Sequence, residues 1–352
     1  LLAPPHTELD RSTRTAILAS SPYAVTHLER PEYDAGPGRA VDRWLAEGAL
    51  VQDAASLYVI RQEQAGRAQH FLLGQLDVSA DDDRVHPHEG VFEQAVVARL
   101  DRLETTGVDS EPVLVVDSDP WPVPWTDPGS LGRRVGVADD GLTQVEVWQL
   151  TDPEVVAALS AASVTHHFLI ADGHHRHAAV LRAAQRDGAA RSLLVAVADD
   201  AVEPVDLRAL HRLLPRAAAQ EVLRRAPRRR DVFVGDSASL NRIIDGMGFE
   251  QALVTSDGAS VVVESPSAPG TTAGSGAWVD SIVRGSGTAS SDVRYRPDAA
   301  AIWESLGEGA AVFLPRPRVE ALQELVRRGG TMGRKTTSFR PKPLAGTVLR
   351  LR

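Results

Sequence analysis

The stretch Phe168-Leu169-Ile170-Ala171-Asp172-Gly173-His174-His175-Arg176-His177 decides how the rest of the chain is read. Its apolar start predicts a buried strand over His167–Ala171, and a helix over His174–Arg186 follows. Asp172 is placed to cap that helix, and Gly173 permits a tight strand-to-helix turn. Helix N-termini favour acids, yet this one opens with imidazoles and Arg176. An external anion would explain the pattern, because backbone N–H groups, the helix dipole and Arg176 would all point at a phosphate. Two other readings stay open: a metal site on His174 and His177, one turn apart, and a structural polar cluster. His166 and His167, at the strand start, read as structural.

Outward from this stretch, strands are expected over Leu57–Arg61 and Phe71–Val78, with the turn at Gln64–Gly66 between them. Val113–Val116, Gln144–Leu150 and Ser192–Val197 are further strands, and short strand and helix candidates follow the basic stretch Arg224–Arg230. Apolar residues from Val91 to Leu103 follow helical spacing, and Gly107 ends that helix. A short helix is expected near Arg39–Glu47. Asp152 caps another, with Pro153 in its first position. Val319–Arg328 is amphipathic, with arginines at the end that favours them. Asp119–Gly132, holding Trp121 and Trp125, reads as irregular loop. The run Arg224–Arg230 reads as a solvated helix end and loop, and Ser265–Gly276 as a low-complexity loop. Strands and helices mix without strict alternation, so the expected fold class is α+β (mixed α/β). Three segments are expected: 1–80 with a β-hairpin, 81–214 as the core, and 215–352 as a smaller C-terminal α/β domain.

Composition excludes several functions. The 352 residues contain no cysteine, which removes disulfides, thiolate metal sites and a cysteine nucleophile. A net charge of -9 argues against a protein that coats nucleic acid. No apolar run approaches a membrane span, and Leu1–Pro5 carries no secretory pattern, so a cytoplasmic location without nucleic-acid or membrane partners is expected. Of the 38 basic residues only Lys335 and Lys342 are lysine. A compact ammonium is not replaced by arginine's flat fork, so these two positions invite attention.

Two more motifs can carry chemistry. His86-Pro87-His88-Glu89 stands at the expected start of the Val91–Leu103 helix, where Glu89 is either a general base or a first-turn acid. Gly333-Arg334-Lys335-Thr336-Thr337-Ser338 places a lysine beside hydroxyls that can hold a phosphate oxygen or a metal-bound water; the alternative is a solvated loop. The chain has no G-x-x-x-x-G-K-[ST] and no kinase-type H-R-D followed by D-F-G, so any nucleotide is handled by another route.

The order Pro87-His88-Glu89, Asp172 to Arg176, Lys335-Thr336-Thr337 resembles that of the free-serine kinases of the ParB/sulfiredoxin-like superfamily. Over nearly the whole chain the sequence resembles the DUF1015 family more closely still. Pro22-Tyr23, Ile170 to Arg176, Leu210-His211-Arg212-Leu213 and Lys335 to Pro343 carry that resemblance. The departures are His177, where the family has an aromatic residue, and Met332-Gly333-Arg334-Lys335 in place of M-P-P-K. The resemblance implies a ParB/sulfiredoxin-like core over 81–214 that binds nucleotide, with the Lys-Thr-Thr segment closing the site. It implies a kinase that moves a phosphoryl group from ATP or ADP, with Mg2+, to the hydroxyl of free L-serine or a related amino acid. Glu89 would take the hydroxyl proton, and His175 would assist. Asp172 (through magnesium or water), Gly173, His174, His175 and Arg176 would hold the phosphates, with Lys335, Thr336 and Thr337 closing over them. The alternative is a nucleotide-binding or hydrolysing regulatory protein that uses the same pocket as a switch; a metal-dependent hydrolase built on the histidines is a third class. The three motifs are expected to converge, and Lys342 is expected to tolerate arginine better than Lys335.

Overall fold

The computed structural model describes residues 2–4, 9–29, 37–79, 81–266, 272–306 and 309–351. They form an α+β protein that divides into two compact units. The first comprises Leu1–His86, Val91–Val205 and Pro341–Arg352; the second comprises Pro87–Gly90 and Asp206–Arg340. The segment 267–271 of the expected low-complexity loop lies outside the described residues.

The first unit is built on a mixed sheet of eight strands: β1 Leu57–Gln64, β2 Arg67–Val78, β3 Val85–Pro87, β4 Val113–Asp117, β5 Arg133–Asp139, β6 Thr143–Leu150, β7 Phe168–Asp172 and β8 Arg191–Asp199. Their order across the sheet is β3-β7-β4-β8-β2-β1-β6-β5. β1 and β2 meet at Ala65 and Gly66, both with positive φ, the two-residue turn that matches strand twist. β4 and β8 run parallel at the centre, Val113 facing Val195, and all five residues of β4 are buried. That double-sided burial is why Val113–Val116 reads as a continuous apolar run and not as an alternation. Phe168, Ile170, Val113, Val115, Val195 and Val197 share one core cluster, each side chain contributing roughly 1.5–3 kcal/mol by leaving water.

The first unit's helices are α1 Arg11–Ser20, α2 Thr26–Glu29, α3 Pro37–Ala46, α4 Glu93–Thr106, α5 Pro153–Ser163 and α6 His174–Asp187. Asp152 caps α5 as expected, accepting from the backbone of Glu154 and Val155. Gly107 ends α4 in the left-handed region and bonds back to Leu103. The chain's last residues return here: Ala345 packs in one cluster with Trp44 and Val41, and Gln62 on β1 donates to the Lys342 carbonyl at 2.8 Å while accepting from the Leu344 amide at 3.1 Å.

The second unit holds β9 Asp206–Ala209, β10 His211–Leu214, β11 Arg228–Val232, β12 Gln251–Ser256, β13 Ala259–Glu264, β14 Arg294–Arg296, β15 Ala310–Phe313 and β16 Thr337–Arg340. Six of these form an antiparallel sheet in the order β11-β13-β12-β15-β10-β14, and β9 pairs with β16. Its helices are α7 Arg216–Arg225, α8 Ser237–Asp245, α9 Ser275–Gly285, α10 Ala299–Ser305 and α11 Val319–Arg327. Alternation along β15 sorts the two faces. Ala310 and Val312 pack with α7 and α9 residues, while Ala311 and Phe313 pack with those of α8 and α10. The expected loop at the end of the Arg224–Arg230 run is corrected: α7 stops at Arg225 and Arg228 opens β11.

Each unit buries a histidine held neutral. Burial drives His177 on α6 and His211 on β10 from 6.5 down to about 4. A depressed folded pKa means this stability is present above pH 6.5 and is lost as pH falls toward 4, because the unfolded chain then binds protons the folded one refuses. We expect His177 to contribute on the order of 3 kcal/mol to that acid loss. Denaturant midpoints measured from pH 7 to pH 4 should fall more steeply for the wild type than for His177→Leu.

Candidate active site

In the first unit, β7 delivers Asp172 opposite Leu114 of β4, and Gly173 turns the chain into α6. Gly173 has φ 95°, and a Cβ there would sit 3.0 Å from Val113 Cγ2 and 3.1 Å from the Arg176 guanidinium. Both conformation and space demand glycine. The expected helix cap by Asp172 is not formed: Gly173 is the N-cap and makes no side-chain cap bond. Asp172 instead binds two cations, Lys342 Nζ at 2.6 Å through Oδ1 and Arg176 Nη2 at 2.8 Å through Oδ2. Charge-assisted bonds to ionised donors outweigh a cap to a neutral amide, which accounts for the difference.

Arg176 also donates to the Glu111 carbonyl at 2.7 Å and to the Pro112 carbonyl, and lies 3.6 Å from the buried Glu111 carboxylate. Its guanidinium therefore braces Asp172 against the approach to β4. His175 accepts from the Phe92 amide through Nε2 at 3.0 Å, and its ring stacks on Phe92. An accepting Nε2 puts the ring proton on Nδ1. His174 stands half-buried in the first position of α6. His177 faces the interior, which removes the His174–His177 pair as a metal site.

Lys342 is the residue that the sequence pointed at but misplaced. Its side chain is 14% exposed and forms a direct ion pair with Asp172, so it belongs to this cluster and is not a neutral control. The signal was present in the count of two lysines. What a sequence could not display is the return of residues 341–352 to the first unit, with Gln62 gripping the backbone on both sides of Pro343, next to Lys342.

In the second unit, Glu89 meets the Lys-Thr-Thr segment. Glu89 bridges to Met332 in parallel fashion, and the Met332 amide donates to the His88 carbonyl at 2.7 Å. The Glu89 carboxylate then accepts four bonds. Oε1 takes the Thr336 amide at 3.0 Å, the Thr337 amide at 3.1 Å and the Thr337 hydroxyl at 2.9 Å, and Oε2 takes the Lys335 amide at 3.0 Å. His88, fully buried, sits with Nε2 2.7 Å from the same hydroxyl. Lys335 adopts φ 51° and places Nζ 5.1 Å from the centre of the Tyr295 ring. The first-turn alternative for Glu89 is corrected: α4 starts at Glu93, and Glu93 is the first-turn acid, paired with Arg182 at 2.6 Å.

Both oxygens of Asp172 hold a cation, so it does not fit a direct ligand of a divalent ion in this arrangement. Among the described residues, the group with metal-ligand spacing is Asp117, Asp119 and His166, whose donor atoms lie within 4.8 Å of one another. His166 Nδ1 is 2.6 Å from Asp117 Oδ2, and burial pushes the Asp117 carboxyl up. No helix among the described residues is long and apolar enough to cross a membrane.

The protein is thus a two-unit α+β protein, with Asp172, Arg176 and Lys342 clustered in the first unit and Glu89 bonded to the Lys-Thr-Thr segment in the second. The chain belongs to the DUF1015 family, described as a protein of unknown function, whose model matches residues 1–284. No curated protein matches it. Solved structures with similar folds include a free serine kinase in complex with AMP, at 15% identity and TM-score 0.46 over 75% of this chain and 86% of the other. A conserved hypothetical protein from Pyrococcus furiosus is 17% identical, with TM-score 0.42 over 77% and 91% of the two chains. SbnI with a C-terminal truncation, from Staphylococcus aureus, is 12% identical, with TM-score 0.43 over 77% and 85%.

If Lys342 and Asp172 are one partly buried ion pair, their loss is not additive. We expect Lys342→Met and Asp172→Asn each to cost about 2 kcal/mol of stability, and the double variant to cost at least about 1 kcal/mol less than the sum. A double-mutant cycle by urea denaturation reads this directly.

Proposed function

We propose that the protein is a phosphotransferase that moves a phosphoryl group from ATP or ADP to the hydroxyl of free L-serine or a related small amino acid. The observation that carries this reading is the Glu89 cluster. Across 246 to 248 positions, the Glu89 carboxylate is hydrogen-bonded to the Lys335, Thr336 and Thr337 amides and the Thr337 hydroxyl, on a segment that also carries the Lys335 ammonium and the Thr336 hydroxyl. Phosphoryl transfer asks a protein for positioning, charge neutralisation and one base, and this set has the groups for each. At rest Oε1 of Glu89 accepts three donors and Oε2 a single amide, so the carboxylate keeps capacity for the acceptor's proton.

The first turn of α6 supports the phosphate role. It carries no acid, its dipole is positive at that end, and Lys342 and Arg176 offset the charge of Asp172 beside it. In this reading Gly173, His174, His175 and Arg176 take the nucleotide phosphates and Arg176 positions Asp172. Lys335, Thr336 and Thr337 serve the transferred group or the acceptor. Mg2+ would screen the phosphates when bound with the nucleotide; the residues' own work is to orient the groups and move one proton.

Purified protein mixed with ATP, ADP or CTP and a panel of amino acids tests the reading by detection of the phosphorylated amino acid. Hydrolysis without transfer to any acceptor would select the regulatory alternative instead. Glu89→Gln should lower kcat by about 10²–10⁴-fold and leave nucleotide affinity within about threefold. Lys335→Arg should lower activity despite the kept charge, since a planar fork does not reproduce a point charge. Steady-state kinetics alongside calorimetric titration would separate these effects.

A further inference from the structure

Three consecutive amides, those of Lys335, Thr336 and Thr337, converge on one carboxylate, with the Thr337 hydroxyl as a fourth donor. Successive N–H groups around a left-handed residue form an anion-binding nest, the backbone device that cradles phosphate in other proteins. Lys335 supplies the left-handed residue. Of the non-glycine residues with positive φ among those described, Ala65 and Asp257 each precede a glycine in a two-residue hairpin turn. Lys335 alone lies outside such a turn, and its strain has no hairpin to justify it.

The nest is also held by contacts other than those to Glu89. Thr336 Oγ1 donates to the Gly333 carbonyl at 2.6 Å, and the Leu210 amide donates to the Thr336 carbonyl at 2.8 Å. Thr337 is in register with Ala209 in the β9–β16 ladder. Gly333 lies so close to α9 that a Cβ would come within 2.9 Å of Ala277 Cα. With the Glu89 side chain turned away, these ties would leave three amides aimed at one point. Glu89's backbone, by contrast, is held through Met332, so only its side chain has to rotate.

We infer that the Lys335–Thr337 nest is a binding site for a small oxyanion, a phosphoryl group, and that the Glu89 carboxylate is its resident internal occupant. A phosphoryl group entering the nest displaces Glu89 and releases the carboxylate. The consequence for catalysis, a base freed only when the anion is in place, rests on the kinase reading; the anion site does not.

The test is calorimetric titration of the full chain with inorganic phosphate, joined to amide hydrogen exchange of the 335–337 segment. Glu89→Ala should bind phosphate about tenfold more tightly than the wild type, because the competing carboxylate is gone. The 335–337 amides should exchange faster in that variant and regain protection when phosphate is added. Glu89→Gln, which keeps one acceptor oxygen without charge, should show a smaller gain and serves if Glu89→Ala does not fold. Glu304→Gln, an exposed acid on α10, controls for lost charge. Unchanged or weaker phosphate binding in folded Glu89 variants overturns the inference. So does an equal gain in Glu304→Gln, protection appearing outside 335–337, or acetate binding more tightly than phosphate. A gain in Glu89→Ala from a protein that phosphorylates no amino acid would keep the anion site and remove the kinase reading.

Discussion

Asp172 held between Lys342 and Arg176 is the interaction on which the candidate chemistry of the first unit depends. It joins the turn between β7 and α6 to the returning C-terminal segment. Partly buried charges are costly to desolvate and strongly penalised when unpaired. Two cations on one carboxylate remove that penalty and fix the carboxylate's direction. Gly173 makes the arrangement possible, because any side chain there would meet Val113 and the Arg176 guanidinium.

The second unit solves the same problem by other means. Glu89 accepts from neutral donors, three amides and a hydroxyl, and the His88 imidazole approaches it at 3.8 Å. The difference matters for chemistry. A carboxylate pinned by cations is a structural anchor or an electrostatic partner, whereas one held by amides on one side keeps lone-pair capacity on the other oxygen. That distinction, and not the mere presence of an acid, separates the role given to Glu89 from that given to Asp172.

Much of this was legible in the sequence where one physical signal dominated. Val113–Val116 and Phe168–Ala171 are buried on both faces and announce themselves by composition; Asp152-Pro153 and Gly107 mark helix ends through capping and left-handed geometry. β3 and the strands of the second unit were not placed individually, and for two of the strands that escaped the reason is shared. β5, Arg133–Asp139, and β11, Arg228–Val232, are the outer strands of their sheets and are largely exposed, so they carry charge where an inner strand carries apolar residues. The residues of the site were mostly legible as types. Their partners were not, because a cap by Asp172 and an ion pair with Lys342 demand the same local sequence. Only the long-range return of residues 341–352 decides between them.

The two lysines now have separate physical explanations. Lys342 Nζ meets a single oxygen of Asp172 in a space that is 14% exposed, while a guanidinium already holds the other oxygen. An ammonium meets that oxygen as a compact point charge, which a second planar fork does not reproduce. Lys335 is exposed, strained to φ 51° and placed over the Tyr295 ring, over which the Arg212 guanidinium also lies, at 5.2 Å. Arg212 is fully buried and committed to Asp280 at 2.9 Å, so it serves the fold. Lys335 extends from a backbone that is fixed by its neighbours, and its four-carbon stem leaves the charge free to follow an anion that enters the nest. In a chain that otherwise writes its positive charge as arginine, lysine stands at the two places where a compact charge faces a carboxylate or an anion site.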